Sequence, residues 1–306
     1  MSALAFTILA LLLVAPVPAM LARAKWPLRA PRAAIVLWQS IALAAVLSAF
    51  SAGLAIASRL FQPGPDGRPT GNIISEIDTL GWPLWSAYVA VFAATLFIGA
   101  RLIVSVVRVA VATRRRRAQH RMIVDLVGTP GRGHLRVLDR PEPLAYCLPG
   151  LRSRVVVSEG TFDALGADEM AAILTHERAH LRARHDLVLE MFAAVHAAFP
   201  RFVRSRSALD AVRLLIEALA DDSARRVTGP TPLARALVTC AAGPTPKGAL
   251  AAGGPTTLVR VRRLADEPNS PLLAAAAYLA AAAVLVVPTV AVAVPWLTEL
   301  HRLFFT

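Results

Sequence analysis

Four long apolar runs separate the polar stretches of this chain. They cover roughly residues 3–21, 33–57, 82–106 and 272–297. A helix needs about 20 apolar residues to cross the hydrocarbon core of a bilayer, so each run is long enough to be a transmembrane helix. Polar and apolar positions mix between the third and fourth runs. The pattern therefore predicts four spans, with one folded domain inserted before the last of them.

The first and last runs each admit a second interpretation. The first could be a signal peptide, because residues 22–24 (Ala-Arg-Ala) resemble a cleavage site. No positive residue precedes it, however, and it is long for a signal peptide, which favours an uncleaved span. The fourth run could be a buried core helix. Its length and its Ala, Val and Leu content favour a span, kinked by Pro288 and Pro295.

Composition supports the membrane interpretation. Hydrophobic residues make up 56% of the 306 residues and charged residues only 17%. Soluble domains usually have fewer of the first and more of the second. The net charge of +13 belongs mostly to basic loops. We interpret the run Arg114–Arg117 as a topogenic stop and expect no nucleic-acid binding, because the run lacks the aromatic or helical context of such a site.

The basic loops also predict an orientation. The positive-inside rule places residues 23–32 and 114–121 in the cytoplasm and the 59–81 loop outside, so the N-terminus is outside. The predicted division is three transmembrane helices with short loops over 1–113, a cytoplasmic domain over 114–270, and a fourth helix with a short tail over 271–306.

The inserted domain begins with strand patterns and continues with helical ones. Residues 134–139 alternate and residues 153–158 are rich in β-branched side chains, as in strands. Helical periodicity follows over 167–184, 186–198 and 207–226, and residues 241–255 have the composition of a loop. This order predicts an α+β domain. Its two cysteines, Cys147 and Cys240, form no CxxC motif and no disulfide framework.

The first of these helical segments, 167–184, contains the motif His-Glu-x-x-His at residues 176–180. His176 and His180 are four residues apart, so both imidazoles project from one face of the helix and can bind one Zn²⁺. Glu177 does not ligate in this arrangement. It is placed to take a proton from water at the metal, as the general base of a metallopeptidase.

Three residues are candidates for the third metal ligand. His185 lies nine residues after His176, which on a continuous helix places it on the opposite side. Asp186 would need a tight turn where the chain has Ala183 rather than Gly. Glu217 lies on an apolar helix that could cross the first one, and we prefer it. Asp221 shares its face and could hold a ligand histidine by its other ring nitrogen.

The chain resembles the membrane metallopeptidases of the β-lactam-responsive antirepressor family, the BlaR/MecR type, which are related to the HtpX and CAAX-prenyl endopeptidases. The resemblance implies a zincin-like domain with zinc on His176, His180 and Glu217, and with Glu177 as the base. It also implies that a strand near Tyr146 pairs with an extended substrate. The matching segments are 145–147, 153–158, 168–180, 184–186 and 217–221.

The resemblance also implies a function. We expect regulatory cleavage of a cytosolic transcriptional repressor, such as a winged-helix protein, by an enzyme embedded in the lipid bilayer. The alternatives are a quality-control protease for membrane proteins and a non-enzymatic signalling protein. Sensor members of the family carry a penicillin-binding domain after the last span. We expect this chain, which ends at Thr306, to lack that domain and direct β-lactam sensing.

Overall fold

The structure, a computed structural model, is mostly helical and contains all four candidate spans. By length and composition, four helical stretches could cross a membrane: 3–23, 31–57, 82–127 and 271–293. This confirms the predicted number of membrane-sized helices. The described residues are 2–60, 77, 80–150, 152–198, 206–241, 250–251, 256–265, 269–295, 297–298 and 301, so most of the predicted 59–81 loop lies outside them.

Proline residues shape the first and last of these stretches. Helix α1 ends at Val14, and a single residue, Ala15, separates it from Pro16, the first residue of α2. At the other end of the chain, α11 reaches Pro288 and continues as one π-helical turn, in line with the predicted interruption. The bounds are α1 Ser2–Val14, α2 Pro16–Arg23, α3 Pro31–Ala57, α4 Trp82–Val127 and α11 Pro271–Pro288.

Helix α4 joins the membrane region to the inserted domain without a break. Its 46 residues extend about 69 Å, roughly twice the thickness of a bilayer core. The predicted boundary at 113/114 therefore lies inside one continuous helix. The basic run at 114–117 is on the half that continues into the domain.

The inserted domain combines a five-stranded sheet with helices, as the α+β pattern predicts. The strand order is β1-β2-β4-β3-β5, with β2 parallel to β4 and the other pairs antiparallel. Two strands were not predicted: residues 129–130 belong to no strand pattern identified in the sequence, and Leu250 and Ala251 fall in the expected 241–255 loop. The strands are β1 Thr129–Pro130, β2 Leu135–Leu138, β3 Ala145–Leu148, β4 Arg154–Ser158 and β5 Leu250–Ala251.

A break separates the two helices predicted over 167–184 and 186–198, and it lies two residues earlier than predicted. Helix α6 ends at Arg182, and Arg184 adopts a left-handed conformation with φ of 52° before the next helix begins at His185. The chain therefore turns sharply beside the metal-binding motif. The helices of the domain are α5 Glu159–Ala164, α6 Ala167–Arg182, α7 His185–Ala198, α8 Arg206–Thr228, α9 Pro230–Ala241 and α10 Thr257–Ala265.

The membrane helices and the domain share a hydrophobic core. Trp38 of α3 belongs to the same buried cluster as Phe192 of α7 and Ile216 of α8. Helix α7 also packs against α4. Ser105 of α4 donates a hydrogen bond to the carbonyl of Ala194 in α7 at 2.8 Å. Since Ser105 is in the third apolar run, the end of α7 lies level with a candidate span.

Candidate metal centre

The two motif histidines and Glu217 converge between helices α6 and α8. The Nε2 atoms of His176 and His180 are 3.2 Å apart. A carboxylate oxygen of Glu217 lies 3.4 Å from the first of these nitrogens, and its other oxygen lies 3.6 Å from the second. Ligand atoms that surround one tetrahedral zinc at 2.0–2.2 Å lie about 3.3 Å from one another. The three side chains therefore have the chemistry and the spacing to hold a zinc ion, as predicted.

Asp221 contacts the ring of His176 at Nδ1, the nitrogen that faces away from the metal position. Its Oδ1 lies 3.0 Å from Nδ1 of His176, one turn of α8 below Glu217. A carboxylate there keeps the proton on Nδ1 and leaves Nε2 to face the metal position. Burial alone would lower the pKa of His176, but the carboxylates of Asp221 and Glu217 outweigh it and raise that pKa to about 9. At neutral pH the ring of His176 is therefore protonated on both nitrogens and positively charged, unless a metal ion replaces the proton on Nε2.

Arg260 is a member of the site that the sequence reasoning missed. It comes from α10, is 2% exposed, and donates from Nε and Nη2 to the two oxygens of Asp221 at 2.8 and 2.6 Å. Its Nη1 lies 3.0 Å from Oε2 of Glu217. The one signal in the sequence was indirect, because two buried acids on an apolar helix require a cation.

The electrostatics of the two acids follow from this arrangement. Burial would raise the pKa of Glu217, but His180 and Arg260 reverse that effect and lower it to about 2. Burial acts in the same direction on Asp221, and its hydrogen bond to Arg260 holds the pKa well below its usual range. Both carboxylates are therefore ionised at neutral pH. An ionised Glu217 is the form that can bind a metal.

Glu177 is the buried carboxylate next to the three proposed ligands. It is fully buried, and neither of its oxygens has a hydrogen-bond partner of normal geometry within the described part of the chain. Burial raises its pKa to about 7, against the influence of His176 and of the Cys147 thiol. A buried carboxylate without hydrogen-bond partners lowers the stability of the fold, so its presence indicates a functional role. Its position and its pKa suit a group that exchanges protons near pH 7.

His185 supports the second histidine as Asp221 supports the first. Its Nδ1 lies 3.0 Å from Nδ1 of His180, so one ring can donate a hydrogen bond to the other. Burial lowers the pKa of His180 to about 3 and that of His185 to about 4, and both rings are neutral at pH 7. The argument that placed His185 on the far side assumed a continuous helix. The break at Arg184 brings it back to the site as a neighbour of a ligand.

The rival third ligand, Asp186, lies away from the triad. Its Oδ2 forms an ion pair with Nη1 of Arg117 at 3.0 Å. Arg117 belongs to the basic run at the domain end of α4, and it also pairs with Glu190. Among the described residues, only His176, His180 and Glu217 form a group that could hold a metal ion.

Tyr146 lies in a strand whose two sides are both paired. Strand β3 pairs with β4 on one side, and on the other Tyr146 and Cys147 face Ala251 and Leu250 of β5. The open edge expected near Tyr146 is therefore not present at these residues. The side chain is 1% exposed, and its hydroxyl lies 2.9 Å from Nε2 of His120. Its role in substrate binding stays a prediction.

Comparison with known families agrees with this site. Residues 110–212 match the model of peptidase family M48, a segment that contains the whole His-Glu-x-x-His motif and ends just before Glu217. The match supports a metallopeptidase of that family, whose members are typically zinc-dependent. No curated protein and no solved structure gives a significant match to the chain.

Proposed function

We propose that this protein is an integral-membrane zinc endopeptidase whose active site is formed by His176, Glu177, His180 and Glu217. One observation carries the proposal: three ligand atoms converge at zinc spacing beside the fully buried carboxylate of Glu177. The complete set of residues argues against a non-enzymatic relic.

In this proposal each residue has a separate task. When bound, zinc would polarise the scissile carbonyl and lower the pKa of water in the site. Glu177 accepts a proton from water and passes it to the leaving amine. Asp221 and His185 orient the two ligand histidines by their Nδ1 atoms, and Arg260 neutralises the acids. The fixed orientation of these groups is what makes the site ready to bind metal and substrate.

The proposed orientation puts the active site in the cytoplasm. The short loop between the first two candidate spans contacts the domain, since Arg263 of α10 donates a hydrogen bond to the carbonyl of Leu28 at 2.7 Å. Likewise, the backbone N–H of Ser270 donates to the carbonyl of Arg29 at 2.9 Å. Both contacts support a topology in which these basic loops and the domain lie on one side of the membrane. The positive-inside rule then makes that side cytoplasmic.

For the substrate, we propose a cytosolic transcriptional repressor of the winged-helix type, on the resemblance to antirepressor peptidases. A second candidate, a membrane protein under quality control, is favoured by a specific observation. Ile216, next to Glu217, packs in the core that α8 shares with α3. The site therefore lies close to the membrane helices, where a membrane-bound substrate would be within reach.

The Glu177→Gln variant tests this function. Purified wild-type protein should contain one zinc per chain and cleave an unfolded protein substrate such as casein, whereas the variant should keep the zinc and lose the cleavage. Glu169→Gln is a matched control, because Glu169 lies on the same helix, where it caps the first turn and forms a long ion pair with the exposed Arg235. Proteins that accumulate in cells with Glu177→Gln would then identify substrates. Undiminished cleavage by that variant would refute the mechanism.

A further inference from the structure

A cavity lies beside His185, where two candidate spans begin. Its volume is about 730 Å³, within the range of small-molecule sites. One wall is formed by Ala179 near the end of α6 and by Ala183 just after that helix, and His185 lines it as well. The opposite wall is formed by the first turns of α3 and α11. Of the metal centre only His185, the neighbour of His180, lines the cavity; within the described residues the triad and Glu177 do not.

The rim of this cavity is strongly basic. Arg29, Arg32 and Arg226 line it, and all three side chains are exposed. Within the described residues, Arg29 and Arg32 make no side-chain hydrogen bond or ion pair, and Arg226 makes one long bond to a serine hydroxyl at 3.3 Å. The acid that also lines the cavity, Asp222, is already paired with Arg263 at 2.8 Å. Three positive charges therefore remain available to a ligand.

Helix ends add to the positive potential. The N-termini of α3 and α11 both border the cavity, at Pro31 and Pro271. The first turn of a helix has free N–H groups and carries a partial positive charge, which favours anions. The cavity therefore offers a phosphate both the guanidinium groups and two helix termini.

The inner part of the cavity is apolar and follows the spans. Ile35 and Val36 lie one turn into α3, and Ala274 and Tyr278 lie one and two turns into α11. Because both helices are membrane-sized, these residues lie deeper toward the bilayer than the arginines. A ligand that fills the whole cavity needs an anionic head at the rim and an apolar tail beside the helices.

From these observations we infer that the cavity binds an anionic phospholipid, with its phosphate among Arg29, Arg32 and Arg226 and an acyl chain along Ile35 and Tyr278. A free phosphate would leave the apolar part unfilled, and a zwitterionic lipid would leave the charge of the rim uncompensated. Basic pockets between membrane helices are suited to such headgroups. The lipid would lie directly against the helix that holds the two histidines.

Native mass spectrometry of the full-length protein in detergent tests this inference, with phosphatidylglycerol and phosphatidylcholine of equal chain length added in turn. We expect one phosphatidylglycerol to stay bound and phosphatidylcholine to bind far more weakly. An arginine near an anionic headgroup contributes about fivefold to affinity, so the triple variant Arg29→Gln, Arg32→Gln, Arg226→Gln should lose on the order of 100-fold. The control Arg132→Gln, Arg140→Gln, Arg152→Gln removes equal charge from exposed positions of the domain and should bind normally.

A second variant keeps the test valid if the triple variant is unstable. Ala274→Phe narrows the apolar part without changing charge and should weaken phosphatidylglycerol binding, whereas Ala275→Phe on the exposed side should not. Equal retention of the two lipids would overturn the inference, and so would normal binding by the Ala274→Phe variant. Full displacement of phosphatidylglycerol by millimolar inorganic phosphate would show a simple anion site and would overturn it too.

Discussion

Arg260 Nη1 lies 3.0 Å from Oε2 of Glu217, and the same guanidinium clamps both oxygens of Asp221. One arginine thus holds the proposed third metal ligand and the residue that orients the first. Buried acids this close together would repel each other without it. The metal site therefore depends on α10, a helix far along the chain from the motif.

Replacement of Arg260 should weaken zinc binding. The variant Arg260→Gln leaves Glu217 and Asp221 without their cation, and loss of such an outer contact lowers metal affinity by about 10–100-fold. Competition with a zinc-binding dye measures this effect. Arg262→Gln is the matched control, because Arg262 is exposed on the same helix. Equal affinities in the Arg260 and Arg262 variants would contradict the assigned role.

His185 should affect zinc binding through His180. With Nε2 of His180 on the metal, its Nδ1 carries the proton and donates to Nδ1 of His185 at 3.0 Å. The variant His185→Leu removes that acceptor and should lower zinc affinity by about 10–100-fold. His134→Leu, at an exposed position, should leave it unchanged. If His185→Leu bound zinc as tightly as the wild type, the two rings would not be coupled as described.

Adjacent acids on α8 should give different phenotypes. Asp221 faces His176, whereas Asp222 pairs with Arg263 and accepts a hydrogen bond from Asn269. We expect Asp221→Asn to lower zinc affinity. Asp222→Ala leaves a buried arginine unpaired and should lower the free energy of unfolding by about 3–5 kcal/mol while the zinc content stays at one per chain. Thermal unfolding and metal analysis of the two variants, measured together, distinguish these outcomes.

Zinc affinity should increase with pH up to about 9. In the metal-free site, the neighbouring carboxylates raise the pKa of His176 to about 9, so below that pH a proton occupies the ring that zinc must use. Below pH 9, each decrease of one pH unit should weaken zinc binding by about tenfold, because one proton is released when zinc binds. The carboxylates do not add to this slope near neutral pH, because the pKa of Glu217 is about 2. Affinity independent of pH between 6 and 8 would contradict the proposed charge state.

How much of the site could be predicted depends on how local each contact is. The spacing of His176, Glu177 and His180 is a property of one helix, so it could be predicted from the sequence. Glu217 could be predicted because a carboxylate on an apolar, partly buried helix requires a neighbouring cation, such as a metal ion. Arg260 could not, since the approach of α10 to α8 depends on tertiary packing that no local pattern encodes.

The fold shows the same distinction. The membrane-sized helices follow from long apolar runs and were predicted in number and place. The boundary between the helices of 167–184 and 186–198 was predicted, but no glycine or proline signals the left-handed turn at Arg184, so the position of His185 beside His180 was not. Strand β5 lies in a segment rich in Gly, Pro and Ala, and only its pairing with Tyr146 and Cys147 makes it a strand.

X-ray absorption at the zinc edge, measured on the purified full-length protein, tests the central claim most directly. We expect two imidazole nitrogens at about 2.0–2.1 Å and carboxylate oxygen at about 2.0–2.2 Å, with no sulfur ligand. The Glu217→Ala variant should lose the carboxylate contribution and most of its affinity. A sulfur ligand at about 2.3 Å, as from Cys147, would contradict the proposed site, and so would a zinc environment unchanged by the variant.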